Sequence, residues 1–497
     1  MGRDVDADAN AIHPDRLPDT RTIAARTTAV PRSSVACARP ASVRVAILWL
    51  ALAGLALACA PTEPEPEAAT PATPVPRATL ATPGQLAREA RALDVLASEP
   101  IHRATDALER LYRANPRGRT PSGAATARRA AESMAAAAVY SQVNDDPDRP
   151  VLFWGANAAH RWSGLALPRA GFGIENPDNV YRHLDLDGAT RYAIRGRWPE
   201  NGPAELHFVV MDRVPGSSKE AMPIEGAGLV ATLRSDAIVR AADGGFTITI
   251  DAEPANGRAN HLQIPSSGRF PLYVRDLFTD WSRQDPVALE AFRLDGPEPA
   301  PVPTVEAQAE AAAARLDRMG AFWLEWNDRF LYTQPANALT PPRDRPGGRG
   351  LSVAGHFELA EDEVLVIVLD PLGAGSVGIQ LADPWGVAYE YVERTGSLNQ
   401  TQATANADGS LTFVVAREDP GVHNWLDAEG QSAGILVARW QVMPERYDAG
   451  QAIRAVRTLK RSTLRASLPA ETRFLTPEER ADQRAERARQ YERRLTR

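Results

Sequence analysis

From Ser397 to Trp440 the chain carries a turn-and-strand pattern with a weaker echo about 160 residues earlier, and a repeated unit of this kind calls for two related β halves. In the later copy Asp408-Gly409 leads into the apolar run Leu411 to Ala416. Asp419-Pro420-Gly421, Asn424-Trp425-Leu426-Asp427 and a closing run from Ile435 follow. In the earlier copy Asp243-Gly244 leads into Phe246 to Ile250, then Pro254, Asn260-His261-Leu262 and a closing run from Phe270 to Val274. An Asp-Gly pair ahead of an alternating run is a strong local turn signal, because glycine takes the positive φ that the turn needs.

With 497 residues and 44% hydrophobic content the chain can bury a sizeable core and fill about three structural units. Its net charge of −7 argues against nucleic acid as a partner. After Arg44 the run Val45 to Ala58 is continuously apolar. As a helix it would span about 21 Å, short of a roughly 30 Å hydrocarbon core, so it fits a signal peptide. Leu55-Ala56-Leu57-Ala58-Cys59 resembles the lipobox of bacterial lipoproteins, although Ala56 stands where leucine is favoured. Cys59 would then be the lipidated first residue, and the prolines from Pro61 to Pro76 would form a spacer off the membrane. Removing residues 1–58 also removes Cys37, the other cysteine, which leaves no thiol for a disulfide or a thiolate-bound metal.

The boundaries that follow are 1–42 as a disordered or spurious extension, with the natural start expected nearer Val43, 43–58 as signal peptide and 59–83 as proline-rich linker. Residues 84–146 read as helical: leucine spacing gives two short helices between Gln85 and Ala114, and Thr120-Pro121-Ser122 opens a third. Residues 147–298 form a first β domain, 299–349 a linking helix (Val305 to Phe330) and loop, 350–445 a second β domain, and 446–497 a tail. In that tail Thr476-Pro477-Glu478-Glu479 is a helix start, and the charged body after it reads as a solvated surface helix.

Several motifs imitate chemistry. Gly373-Ala374-Gly375-Ser376-Val377-Gly378 matches the dinucleotide fingerprint, but Pro384 arrives too soon for the phosphate-binding helix. Gly430-Gln431-Ser432-Ala433-Gly434 matches a nucleophile elbow, yet a strand follows the serine where a helix is required, and no histidine lies beyond His423. His183-Leu184-Asp185-Leu186-Asp187-Gly188 reads more simply as alternation into a turn than as a metal loop. No cofactor or metal is expected.

Val377 to Trp385, then Ser397-Leu398-Asn399, then Asp419 to Asp427 resemble the domain of unknown function 1214 family, most clearly over residues 350–442, with Asn176 to Gly196 similar to the region upstream of that domain. The resemblance implies antiparallel β-sandwiches of jelly-roll type and carries no activity. The fold class expected is thus α+β, mainly β, with two related sandwich halves and helical N-terminal, linking and C-terminal segments. His423 replaces the proline usual in the Asp-Pro-Gly turn.

The polar turns supply the candidate binding residues Asn176, Asp178, Tyr181, Arg182, Asn399, Asn424, Trp425 and Asp427. The functional expectation is a lipid-anchored, exported cell-envelope protein that binds a glycan or other small polar ligand. A β-sandwich hydrolase, which would need two converging carboxylates among Asp178, Asp383, Asp419 and Asp427, and a structural lipoprotein are the alternatives.

Overall fold

The computed structural model describes residues 79–217, 228–348 and 350–496, all within one compact unit. The expectations for residues 1–78, Cys59 among them, lie outside the described residues. Helices α1 (Pro83–Leu96), α2 (Glu99–Ala114) and α3 (Pro121–Val143) come first. Thr120 caps α3 by accepting from the Gly123 backbone N–H at 3.1 Å. α3 buries Ala127, Ala130, Ala131 and Ala135 to Ala138 on several faces, so it behaves as an interior helix surrounded by packing partners. No helix among the described residues is long and apolar enough to cross a membrane.

The first β half runs through β1 (Phe153–Ala156), β2 (His160–Trp162), β3 (Leu165–Leu167), β4 (Asn179–Asp187), β5 (Tyr192–Arg197) and β6 (Glu205–Met211). It continues with β7 (Leu229–Arg234), β8 (Gly245–Asp251), β9 (His261–Gln263), β10 (Arg269–Leu277) and β11 (Ala288–Arg293). One sheet has the order β1-β4-β10-β6-β7 and the facing sheet β11-β5-β8-β9. Alternation puts Leu184, Leu186, Leu272 and Val274 into the core between them.

Helix α4 (Val305–Phe330) then packs beside α3. The second half comprises β12 (Arg343–Asp344), β13 (Leu351–Glu358), β14 (Glu363–Leu369), β15 (Ser376–Ala382) and β16 (Ser397–Asn399). β17 (Leu411–Ala416), β18 (Trp425–Asp427), β19 (Ala433–Gln441) and β20 (Ile453–Lys460) complete it, in sheets ordered β12-β13-β19-β15-β16 and β18-β17-β14-β20. Strand for strand, β4 to β11 map onto β13 to β20. Both copies share one departure from antiparallel pairing: β8 runs parallel to β9, with Thr249 opposite His261, and β17 parallel to β18, with Val414 opposite Trp425. Gly244 and Gly409 both take φ of 81° at the equivalent Asp-Gly turns. The protein is therefore mainly β, with two duplicated sandwiches and six helices among the described residues.

Two differences from the sequence reading have physical causes. The second sandwich continues past residue 445, because β20 pairs with β14 from Glu363↔Lys460 to Leu369↔Ile453. β20 is an edge strand bearing Arg454, Arg457 and Lys460, so its alternation signal is diluted by charge. After a one-turn helix α5 (Leu464–Ser467), α6 (Pro477–Thr496) opens on the expected capping box: Thr476 N–H donates to Glu479 at 2.8 Å and Glu479 N–H to Thr476 Oγ1 at 3.2 Å. Its charged body is not a solvated surface helix. Arg480, Arg487, Tyr491 and Arg494, on one helical face, are 2 to 4% exposed. The guanidinium groups lie over aromatic rings while their N–H groups find carboxylates and carbonyls: Arg480 and Arg484 stand over Trp425, and Arg487 and Arg494 over Trp281. A helix polar all round can bury a face in this way.

Candidate functional site

On β4 and β10 the residues that do not enter the sandwich core point outward: Tyr181, His183 and Asp185 on one strand, Tyr273 and Arg275 on the other. Helices α3 and α4 lie across that face, but they do not fill it. Between them lies a cavity of about 270 Å³. Its apolar wall comes from Phe172, Ile174, Met211, Val214, Met319 and Trp323, and β19 contributes Arg439 from the second half. Two glycines make the room. A Cβ at Gly155 would stand 2.6 Å from the His183 ring, and one at Gly173, whose φ is 59°, would stand 2.8 Å from the Trp323 indole.

The cavity is lined by four arginines and one glutamate. Arg182 is committed to Asp276 in a buried pair and donates to the Val287 carbonyl at 2.8 Å. Glu175 is held by Arg169 at 3.1 Å, and although burial pushes its carboxyl up, Arg169 draws it back. Arg439 donates to the Ile174 carbonyl at 2.7 Å and to Gln380 Oε1. Arg275 sits with its guanidinium carbon 5.6 Å from the Tyr181 ring centre and 5.9 Å from that of Tyr273, and its buried Nε and Nη1 find no hydrogen-bond acceptor among the described residues. His183 is lowered to about 4, by burial first and Arg315 second, so the ring is neutral at physiological pH and adds no charge.

The eight candidates from the polar turns fall into three places. Asp178 and Asn399 meet across the two halves: Asp178 Oδ1 accepts from Asn399 Nδ2 at 2.8 Å and from Trp281 Nε1 at 2.9 Å, and beside them Asn176 Nδ2 donates to Gln441 at 3.1 Å. These are seam contacts with every group buried, rather than a pocket. Tyr181 and Arg182 line the cavity. Asn424, Trp425 and Asp427 lie elsewhere, under α6, and here the expectation is corrected. Asn424 accepts from Thr404 N–H and donates to the Thr404 carbonyl, both at 2.8 Å. Asn260 clamps Val239 in the same way, at 2.8 and 2.7 Å, so the residue holds the repeat's own turn. Trp425 is 2% exposed and donates to the Ala416 carbonyl, and Asp427 is tied to Arg394 at 2.9 Å and Arg484 at 3.1 Å.

The carboxylates named for hydrolysis do not converge either. Asp383 is fully buried and accepts from the Trp385 and Val387 backbone, and Asp419 is taken by Arg480 at 2.9 Å. Among the described residues no cluster of His, Asp or Glu could hold a metal ion. Sequence reasoning missed Arg275, Arg439, Met319 and Trp323, which reach the cavity from three distant segments. One signal was present: Arg275 and Arg439 are 164 residues apart, as are the turn clamps Asn260 and Asn424, so both arginines occupy one position in the repeat.

The family model "Protein of unknown function (DUF1214)" matches residues 182–279 and 388–443, from within β4 to just past β10 and from just before β16 to just past β19. No curated protein matches the chain. A crystal structure of an uncharacterized protein from Burkholderia cenocepacia is similar in fold, with a TM-score of 0.57 and 23% identity, covering 76% of this chain and 99% of that one. The VPA0106 protein from Vibrio parahaemolyticus matches at a TM-score of 0.36 and 12% identity, over 58% of this chain and 91% of that one. The first matched segment runs through the first sandwich from β4 to β10 and the second through the later part of the second sandwich, from β16 to β19, so over residues 182–279 and 388–443 the chain is similar to the family described as protein of unknown function DUF1214.

Proposed function

We propose that this protein binds a small organic molecule in the cavity beneath α3 and α4. The observation that carries the reading is the cavity itself, a concave, mainly apolar space with a few convergent polar groups. The glycan anticipated from the polar turns is a poorer fit, because those turns are spent on the seam and on the repeat's own clamps. Trp323 supplies the test. In a screen of small organic molecules, a true ligand at about a hundred times its Kd stabilises the fold by about 2.7 kcal/mol and changes tryptophan emission in the wild type, with a smaller change in Trp323→Phe. A screen whose stabilising molecules all leave the Trp323 contribution untouched would sink the reading.

Export and lipid anchoring belong to the same proposal, supported by the apolar run Val45 to Ala58 ahead of Cys59 and the proline-rich spacer after it. In bacterial cells the wild type is expected in the membrane fraction with an acylated Cys59, and Cys59→Ser in the soluble fraction. Equal partition of the two chains would refute the anchor.

A further inference from the structure

We infer that the ligand is a carboxylate with an apolar body, and that Arg275 receives its head group. The inference rests on the cavity being a binding site and goes on to name the class of molecule. Of the charged groups around the cavity, Glu175 is neutralised by Arg169, Asp276 neutralises Arg182, and Arg345 acts on the Glu205 carboxylate. Arg439 has neutral acceptors, and Arg275 has tyrosine faces, its buried Nε and Nη1 finding no hydrogen-bond acceptor among the described residues. Buried guanidinium N–H groups that meet no acceptor cost free energy that a ligand oxyanion recovers, since hydrogen bonds to charged groups are the strong ones.

The Tyr181 hydroxyl stands on the same face. It accepts from Asn176 N–H at 3.1 Å and from Asn179 Nδ2 at 3.0 Å, which leaves its own proton to donate. Opposite these groups Met211, Met319, Phe172 and Trp323 offer nothing to a second charge and much to a hydrocarbon. The volume equals about nine waters at roughly 30 Å³ each, enough for a short chain or a single ring beside the head group. A multiply charged phosphate ester would leave charge against the apolar wall, so the geometry points to a monoanion.

Octanoate and octanol, which differ in the head group alone, make the test, titrated calorimetrically into the purified chain. Octanoate is expected to bind about tenfold or more tighter than octanol, the scale of one hydrogen bond to a charged group, with the ratio falling toward unity in Arg275→Gln and persisting in Arg275→Lys. Equal affinity of the two probes in the wild type overturns the carboxylate class while leaving the cavity reading in place. No measurable octanoate binding, with neutral molecules still perturbing Trp323, does the same. If neither probe nor any screened molecule perturbs Trp323, both readings fall together. The wild-type ratio decides the matter even if Arg275→Gln does not fold, and a ratio unchanged in a folded Arg275→Gln removes Arg275 as the receptor.

Discussion

Asp276→Ala is expected to destabilise the protein by about 3 to 5 kcal/mol, the scale for removing one partner of a buried ion pair. Asp276 is fully buried and Arg182 is 2% exposed, and the two face each other within one sheet of the first sandwich. Asp276 also accepts from Val287 N–H at 2.8 Å, while Arg182 donates to the Val287 carbonyl, so the pair ties β4 and β10 to the segment entering β11. Without Asp276 a guanidinium that cannot lose its proton is left in the core. The reverse change, Arg182→Met, should cost less. Burial already pushes the Asp276 carboxyl up, with Arg182 first among the groups that oppose this, ahead of the Val287 N–H and Arg494, so an Asp276 without Arg182 can escape by taking a proton. In Arg182→Met the folded state holds a proton that the unfolded chain releases near pH 4, so the variant loses stability as pH rises above that value. Replacing both residues by apolar ones should recover most of the loss. Urea midpoints at two pH values for the three variants would check this ordering, and equal costs for the two single variants would contradict it.

Trp281→Ala should cost a similar amount, about 3 to 5 kcal/mol, with the loss concentrated at the C-terminal helix. The Trp281 indole lies between both halves and α6. Its N–H donates to Asp178, its ring stands 5.8 Å from Tyr491, and the Arg487 and Arg494 guanidinium carbons are each 4.4 Å from its centre. Removing it empties the seat of two arginines and takes one of two donors from the buried Asp178. Trp281→Phe keeps most of the packing and loses the hydrogen bond, so about 1 to 2 kcal/mol is expected. The readouts are the thermal midpoint and the rate of proteolysis within α6. Faster cleavage in Trp281→Ala at temperatures where the rest of the chain stays folded is the expected signature, and cleavage no faster than in the wild type would show that α6 is held from elsewhere.

What could be read from the sequence was local. Asp408-Gly409 and Asp243-Gly244 announce turns because their backbone demands glycine, and the runs after them announce strands because alternation is a property of neighbours in the chain. Thr476 and Glu479 announce the start of α6 for the same reason. What escaped depends on partners far away in sequence. Arg480, Arg487 and Arg494 look like a solvated stripe until Trp425 and Trp281 are known to lie beneath them. Asn424 looks like a ligand donor until Thr404 is seen to occupy it. The cavity is the extreme case, since β10, α4 and β19 each supply a wall and none carries a motif of its own.

The repeat position shared by Arg275 and Arg439 bears on what can be separated. Arg275 reaches the cavity from β10 and Arg439 from β19, so neither half on its own carries both groups of this pair. Cutting the chain between the sandwiches would leave Arg275 on one fragment and Arg439 on the other, so the walls of the cavity close in the tandem pair alone.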